Sequence, residues 1–252
     1  MGGSLIAEQK NIDLIARQLA QLKRNGEQPI IVHGAGKEIS AWQEKLGIEI
    51  KFVDGLRVTN AQSIELAEMV LLGKVQNLLL RNFNQMGLNA VGLSGSDASC
   101  FETEPITTKH ELGFVGKIKK INKQLIFDLI EKRYAPVIGC IGPDENAKPY
   151  NVNADTCAAG IAAAFKTKQL ILLTDVSGVM FDNKLVKRLS LREAKKLLQH
   201  DEVHSGMIPK LEACITAIES GVEEARILGI QQEGALSTAI SADNCNGTII
   251  SG

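Results

Sequence analysis

The chain has 252 residues, of which 44% are hydrophobic and 23% are charged, and this ordinary globular composition excludes wholesale disorder. Its 28 lysines and arginines balance 29 aspartates and glutamates, so a formal net charge of −1 argues against an extended nucleic-acid-binding surface. Aromatic residues make up only 4% of the chain and offer little for the stacking of bases.

Membrane insertion, secretion and disulfide bonding are not expected either. No apolar run approaches the ~18 residues that span a bilayer, and residues 1–10 lack the basic region and long apolar core of a secretion signal. The cysteines are odd in number and form no Cys-x-x-Cys pair, which predicts buried or idle thiols in a reducing cytoplasm rather than zinc ligands or disulfides. They are Cys100, Cys140, Cys157, Cys214 and Cys245.

The first half of the chain predicts alternating helices and strands. Apolar residues at helical spacing predict a helix over 7–25, which Gly26 ends. A continuous apolar run over 29–33 is typical of a strand that is buried on both faces. The next elements are a helix over 37–46 ended by Gly47, a helical region over 60–86 and a strand over 89–93. Gly73 either interrupts the helical region or is accommodated within it.

The second half continues this alternation, which predicts βαβ units, a mostly parallel sheet and helices on both faces, that is, an α/β fold. In such a sheet ligands bind beyond the carboxyl ends of the strands, so the loops after the strands are the candidate site. The predicted elements are an exposed β segment over 112–121, helices over 122–132, 153–165, 191–199 and 207–219, strands over 135–139, 169–173, 224–228 and 247–250, and a solvent-facing turn cluster over 142–149.

The loop over 33–36, His-Gly-Ala-Gly, follows a predicted buried strand and precedes a helix. Its small residues let backbone N–H groups face an anion, and the helix N-terminus adds positive potential. Ile39 stands where a dinucleotide fingerprint needs its third glycine, and Ile31 and Glu38 replace required residues of a P-loop. The loop is therefore either an anion site of another kind or a tight strand–helix turn.

Three further positions carry candidate charges. Arg57 is either a solvated charge or a planar fork that captures a carboxylate. Asn153 or Asp155 can cap the following helix, and a functional Asp155 beside phosphate loops makes sense only if it orients lysines or a metal. Lys210 lies in the first turn of a helix, where the helix dipole disfavours it, and so invites an anionic ligand. The other candidate loops cover residues 2–4 and 173–179.

Neither a metal site nor a nucleophilic triad is predicted, because the histidines share no metal-ligand spacing and no Ser-His-Asp order is present in the sequence.

Seven stretches, some of which contain the loops described above, stand out by their joint order and spacing. They cover residues 31–36, 54–59, 91–95, 112–116, 150–156, 172–178 and 205–210. Together they resemble the amino acid kinase superfamily and, within it, the acetylglutamate kinases. The resemblance extends nearly end to end, and Gly-Leu-Arg-Val-Thr at 55–59 with Asn-Val-Asn-Ala-Asp at 151–155 is its most specific part.

The resemblance implies a three-layer αβα sandwich with a substrate-binding lobe over 1–165 and a nucleotide-binding lobe over 166–252. It implies that ATP with Mg²⁺ phosphorylates the side-chain carboxylate of N-acetyl-L-glutamate to an acyl phosphate in arginine biosynthesis. This acceptor is already ionised at pH 7, so no general base is required. A cytoplasmic homodimer without feedback control is also implied, because the helix that accompanies hexamers and arginine inhibition in the family does not precede Gly2.

The resemblance also implies roles for particular residues. Lys210 would neutralise the transferring phosphoryl group, and Asp155 would orient lysine ammonium groups. Arg57 and Asn151 would hold the α-carboxylate of the substrate and its surroundings. Gly34, Ala35 and Gly36 would line the substrate and γ-phosphate site, and Gly2 and Gly3 would offer N–H groups to the phosphates. Thr174, Asp175 and Gly178 would border the nucleotide.

Two departures from the family pattern affect these expectations. Family members carry a strand that ends in Lys-x-Gly-Gly, whereas this sequence begins Met1-Gly2-Gly3, so we expect either a truncated chain or a natural variant with weak or no activity. Ala35 replaces a usual glycine, and its methyl group is expected to crowd the phosphate and to be strained at a positive φ. The alternatives are a kinase for another amino acid carboxylate and a non-catalytic protein that binds ligand without turnover.

Overall fold

The computed structural model describes residues 1–53, 55–200, 206–230, 234–241 and 246–252. Its α-helices are α1 (Gln9–Arg24), α2 (Gly36–Leu46), α3 (Ala61–Glu68), α4 (Gln76–Gln85), α5 (Lys123–Glu131), α6 (Ala154–Phe165), α7 (Leu191–Leu197), α8 (Ile208–Glu219) and α9 (Ala235–Ser241). A π-helical segment, Met69–Val75, joins α3 to α4, and single 3₁₀ turns lie at Leu5–Ala7 and Asp97–Ser99.

The strands are short, with two to seven residues each. They are β1 (Ile31–His33), β2 (Phe52–Val53), β3 (Leu56–Arg57), β4 (Ala90–Leu93), β5 (Phe101–Pro105), β6 (Val115–Ile121), β7 (Ala135–Gly139), β8 (Ile141–Pro143), β9 (Pro149–Val152), β10 (Gln169–Thr174), β11 (Met180–Phe181), β12 (Lys184–Leu185), β13 (Arg188–Ser190), β14 (Glu224–Gly229) and β15 (Gly247–Ser251).

The expected α/β class with a mostly parallel central sheet is confirmed. The strands β1, β7 and β4 form one parallel sheet in that order, and a second sheet has the order β10-β14-β15-β13. Only the β14–β15 pair of these sheets is antiparallel. The inner strands β7 and β14 are largely buried, as a sheet covered by helices on its faces requires.

A further four-stranded sheet, ordered β5-β6-β9-β8, was not predicted as a sheet, although the expected exposed β segment over 112–121 contains β6 and is confirmed. The strands β5, β8 and β9 were missed because they lack the continuous apolar run that indicates a buried strand. Lys117 pairs with Glu104 and Lys119 with Glu102 across the antiparallel β5–β6 ladder, and cross-strand pairs of opposite charge of this kind stabilise a sheet. Within this sheet the predicted turn cluster over 142–149 is narrower than expected, because Gly142 is buried in β8 and only residues 145–148 are exposed.

The predicted helix boundaries are close to those observed. Gly26 has φ 92° just after α1, and Gly47 has φ 66° at the end of α2, a conformation that glycine adopts without a steric penalty. The long helical region is continuous from Ala61 to Gln85 because Gly73 lies within its π-helical middle and does not break it. In the part of the chain that the structure describes, no helix is long and apolar enough to cross a membrane.

Two apolar clusters form the core. One packs α1 and α4 around Phe83 and Leu79, and the other packs α6 and α8 against β7, β10 and β14. The prediction of buried free thiols is confirmed for four cysteines, while Cys245 lies outside the described residues. The four are Cys100, Cys140, Cys157 and Cys214.

Candidate active site

One cleft of about 630 Å³ opens where β1 and β10 end and where α2, α6 and α8 begin. This is the edge of an α/β fold at which ligands generally bind. The structure places every site residue singled out from the sequence along this cleft. They are Gly2, Gly3, Gly34, Ala35, Gly36, Arg57, Asn151, Asp155, Thr174, Asp175, Gly178 and Lys210.

Two glycine loops form the floor of the cleft and touch each other. A Cβ atom on Gly3 would lie 2.2 Å from the Gly36 nitrogen, so only glycine allows this approach. The neighbouring Met1 pairs with His33 in parallel register, because its nitrogen donates to the Val32 carbonyl (2.8 Å) and its carbonyl accepts from the Gly34 N–H (3.1 Å). The first loop is therefore held at the edge of β1 opposite β7.

Ala35 is accommodated without backbone strain. Its φ is −146°, so the steric cost that a positive φ would carry does not arise, and the residue is buried at 2% exposure. The residue precedes α2, which Gly36 begins. The N–H groups of the first turn of that helix have no intrahelical acceptors and carry the positive end of the helix dipole. The cleft thus has an anion-attracting floor.

Asn153 and Asp155 have different roles, and the sequence left open which of them caps α6 and whether Asp155 orients a lysine. The Asn153 side chain accepts from the N–H groups of Asp155 (2.9 Å) and Thr156 (3.2 Å), so Asn153 is the cap of α6. The Asp155 carboxylate instead accepts from the Lys210 ammonium at 2.8 Å. Both of these charged side chains are largely buried, with 9% and 13% exposure, so water screens their attraction weakly. Lys210 also lies beside Gly2.

Arg57 lies on the opposite wall of the cleft, in a two-stranded hairpin rather than in a loop. The hairpin β2–β3 turns at Gly55, which faces Pro209 of α8. The Arg57 guanidinium donates to three acceptors in and around α2, and burial lowers its pKa, although an arginine stays protonated at any physiological pH. Asn151, expected in a loop, belongs to β9.

The third wall follows β10. Thr174 is buried at the end of this strand, and its hydroxyl donates to the Asp175 carboxylate at 3.3 Å. Gly178 has φ 152° and a Cβ there would lie 2.8 Å from both Leu185 and the Thr248 hydroxyl, so the turn depends on glycine. These contacts fix the backbone of the loop that closes this end of the cleft.

The apolar part of the cleft was not found from the sequence. Phe52, Leu71, Val115 and Met207 line it together with the polar residues. Leu71 comes from the π-helical segment and Val115 from β6 of the mixed sheet, so these residues meet only through the tertiary fold. No local spacing in the sequence indicates them.

The arrangement can bind two anions side by side. Arg57, Lys210 and the N-termini of α2, α6 and α8 supply positive potential, which favours anionic ligands in a partly enclosed cleft. His33 does not serve as a base here, because burial lowers its pKa to about 4 and its ring faces Gln76. Among the described residues, no group of three or more His, Cys, Asp or Glu is arranged to hold a metal ion.

Comparison with known proteins adds a family assignment. The model of the amino acid kinase family matches residues 1–229. Acetylglutamate kinase of Caldanaerobacter subterraneus is 42% identical over 99% of this chain and 85% of its own length, and that of Gloeobacter violaceus is 39% identical over 99% and 84%. The N-acetylglutamate synthase of Neisseria gonorrhoeae, complexed with coenzyme A and N-acetyl-glutamate, superposes with a TM-score of 0.89 at 22% identity and shares the fold. The superposition covers 100% of this chain and 58% of the synthase chain.

Proposed function

Because the chain belongs to the amino acid kinase family, we propose that it transfers the γ-phosphoryl group of ATP to the side-chain carboxylate of N-acetyl-L-glutamate. The product is an acyl phosphate in arginine biosynthesis. The observation that carries this proposal is the single cleft that Arg57, Asp155 and Lys210 share with the glycine loops. Had these charges faced separate cavities, they would not serve one transfer between two anions.

Arg57 and Asn151 bind the acceptor in this proposal. The planar guanidinium offers N–H donors that match a carboxylate, and the Asn151 amide offers a donor and an acceptor from β9. Gly34, Ala35 and Gly36 line the position between the acceptor and the γ-phosphate. Phe52 and Val115 give an apolar surface that suits the acetyl group.

Lys210 neutralises the phosphoryl group as it moves between the two oxygens. Phosphoryl transfer depends mostly on alignment and charge stabilisation, with little covalent help from the protein. Asp155 holds the Lys210 ammonium in place through the 2.8 Å ion pair. The acceptor carboxylate is ionised at neutral pH and attacks without a general base.

ATP lies along the loops that contain Gly2, Gly3, Thr174, Asp175 and Gly178. The glycine N–H groups bind phosphate oxygens, and the β10 loop borders the nucleoside. Mg²⁺ would accompany the nucleotide and would supply further charge neutralisation at the phosphates.

The wider organisation follows the same proposal. The substrate-binding lobe covers residues 1–165 and the nucleotide-binding lobe covers residues 166–252. The enzyme works in the cytoplasm as a homodimer. The buried free thiols are consistent with a reducing compartment. Sedimentation of the purified chain tests the dimer.

The decisive experiment measures acyl phosphate formation. The purified chain is incubated with ATP, Mg²⁺ and N-acetyl-L-glutamate, and hydroxylamine traps the acyl phosphate as a hydroxamate. The same assay with aspartate and an N-acylated aminoadipate separates the proposed acceptor from other amino acid carboxylates. Preferred turnover of N-acetyl-L-glutamate supports the proposal. Calorimetric binding of this ligand without any hydroxamate would instead identify a non-catalytic binding protein.

A further inference from the structure

Gln43 is a fully buried glutamine of α2 whose amide is bonded on both sides. Its Nε2 donates to the Ser63 hydroxyl at 3.0 Å and to the Glu49 carbonyl at 3.5 Å, and its Oε1 accepts from Arg57 Nη1 at 2.5 Å. A backbone carbonyl only accepts and a guanidinium only donates, so these neighbours allow one orientation of the amide. The amide oxygen therefore faces Arg57.

The acceptors around Arg57 share a property that matters for anion binding. Besides Gln43, the guanidinium donates through Nη2 to the Ser40 hydroxyl at 2.7 Å and to the Gly36 carbonyl at 3.1 Å. All three acceptors are neutral, and within the described part of the chain no carboxylate forms an ion pair with Arg57. These bonds use three of five N–H groups and leave Nε–H and one Nη1–H for a ligand.

The Phe52 ring adds a fourth support. It lies 4.7 Å from the central carbon of the guanidinium, within the range of a cation–π contact. Phe52 belongs to the same hairpin as Arg57, whereas Gln43 comes from α2. The guanidinium is thus held between two elements, and Gln43 is its fully buried anchor.

We propose that Gln43 is a positioning residue for recognition of the acceptor carboxylate. It fixes the Arg57 guanidinium through a neutral oxygen, so the full positive charge remains available to the substrate. This inference rests on the proposed function, which assigns the substrate α-carboxylate to Arg57. A methionine at this position would keep the volume but leave Nη1 without an acceptor, whereas a glutamate would keep an acceptor but neutralise Arg57.

The test compares Gln43→Met and Gln43→Glu with the wild type. We expect each variant to raise the KM and the calorimetric Kd for N-acetyl-L-glutamate about tenfold, as expected for one bond to a charged group. The KM for ATP should stay within about twofold, since Gln43 does not line the nucleotide part of the cleft. A general loss of folding would instead reduce the amount of active enzyme, so it would lower Vmax and leave the two KM values unchanged.

Gln18→Met is the matched control. Gln18 is also a buried glutamine, with 4% exposure, and its Oε1 accepts from the Leu236 N–H far from Arg57. We expect this variant to lower the melting temperature without changing the KM for either substrate. Should Gln43→Met fail to fold, Ser63→Ala replaces it, because it removes one bond that orients the Gln43 amide. Its effect on the KM for N-acetyl-L-glutamate should be smaller and in the same direction.

A double-mutant cycle ties the effect to Arg57. In an Arg57→Ala background, Gln43→Met should cause no further loss of N-acetyl-L-glutamate binding, because no guanidinium is left to position. Equal losses in both backgrounds would overturn the inference, as would unchanged binding in Gln43→Met and Gln43→Glu. Those results leave the proposed function intact when the wild type forms the hydroxamate. A wild type that neither binds nor phosphorylates N-acetyl-L-glutamate overturns both.

Discussion

The Lys210 ammonium lies 2.8 Å from the Asp155 carboxylate, and these residues belong to the first turns of α8 and α6. The two helices pack against each other, so the ion pair is set by the core rather than by a loop. The dipole of α8 disfavours a lysine at this place, and Asp155 compensates for that while leaving the ammonium beside Gly2.

Replacement of Lys210 should therefore affect catalysis more than binding. We expect Lys210→Met to lower kcat by roughly 100- to 1,000-fold, the usual effect of losing one electrostatic donor to a transition state. The KM for N-acetyl-L-glutamate should change little. Steady-state hydroxamate formation measures both constants, and Lys195→Met, at an exposed ion pair with Glu219, is the control. An unchanged kcat in Lys210→Met would exclude Lys210 from the transfer step.

Arg57→Ala should affect the acceptor selectively. The substitution removes the N–H groups that we propose bind the substrate carboxylate, so we expect the KM for N-acetyl-L-glutamate to rise by at least tenfold and the KM for ATP to rise less. Initial rates at varied concentrations of each substrate check this. A rise in the KM for ATP alone would show that Arg57 serves the nucleotide and not the acceptor.

Gly3→Ala should disrupt the floor of the cleft. The added Cβ would lie 2.2 Å from the Gly36 nitrogen, so the two loops must separate and activity should fall by at least tenfold. Gly160→Ala is the matched control. Gly160 lies inside α6, and a Cβ there would be 3.6 Å from the Ile118 side chain, which is an ordinary van der Waals distance. We expect that control to keep its activity and to gain slightly in melting temperature. Full activity of Gly3→Ala would show that the loops are not held as close as described.

His33 should make the protein sensitive to acid. Burial lowers its pKa from 6.5 to about 4, so between these values the unfolded chain binds a proton that the folded chain excludes. The free energy of unfolding should therefore fall as the pH decreases from about 7 to about 4, by up to about 3 kcal/mol from this group. Urea unfolding at several pH values should give a flatter profile for His33→Gln than for the wild type. The exposed His110→Gln should behave like the wild type, and identical profiles for all three would contradict the assignment.

The edge of β1 opposite β7 allows a test of the family pattern Lys-x-Gly-Gly. Met1 pairs with His33 there, so residues added before Met1 can continue in parallel alongside Val32. We expect an added strand that ends in lysine to raise the rate of acyl phosphate formation by orders of magnitude over the same strand with methionine in that place. The lysine would bring a second cation to the phosphates that we propose bind at Gly2 and Gly3. Equal rates for the two extended chains would rule this out.

The sequence predicted the parallel core and the glycine loops because both depend on local signals. The apolar runs that became β1 and β7, and Gly26 and Gly47 at the helix ends, act through neighbours within a few residues. Of the sheet β5-β6-β9-β8, only the segment that contains β6 was predicted, because β5, β8 and β9 carry no continuous apolar run. Its four strands gain their stability from each other, which no single segment reveals.

In the candidate site, too, residues with local sequence signals were predicted, whereas residues brought in by the tertiary fold were not. Gly34 and Lys210 stand next to recognisable turns or helix starts, so sequence patterns indicate them. Leu71 and Val115 reach the cleft only because distant elements pack together, and Gln43 reaches Arg57 across 14 positions of the chain. Sequence analysis also left open whether Asn153 or Asp155 caps α6, and only the geometry assigns the cap to Asn153.

Asn151, Asn153 and Asp155 alternate along one stretch that leaves β9 and enters α6, and each has a different neighbour. An insertion or deletion of a single residue within this stretch would shift these side chains relative to β9 and to the first turn of α6. The proposed acceptor contact of Asn151, the cap of the helix and the ion pair with Lys210 would then be disturbed together. Tolerance to changes in length should consequently be lowest here and higher at the exposed hairpin tip over 145–148, where the backbone joins β8 to β9 in solvent.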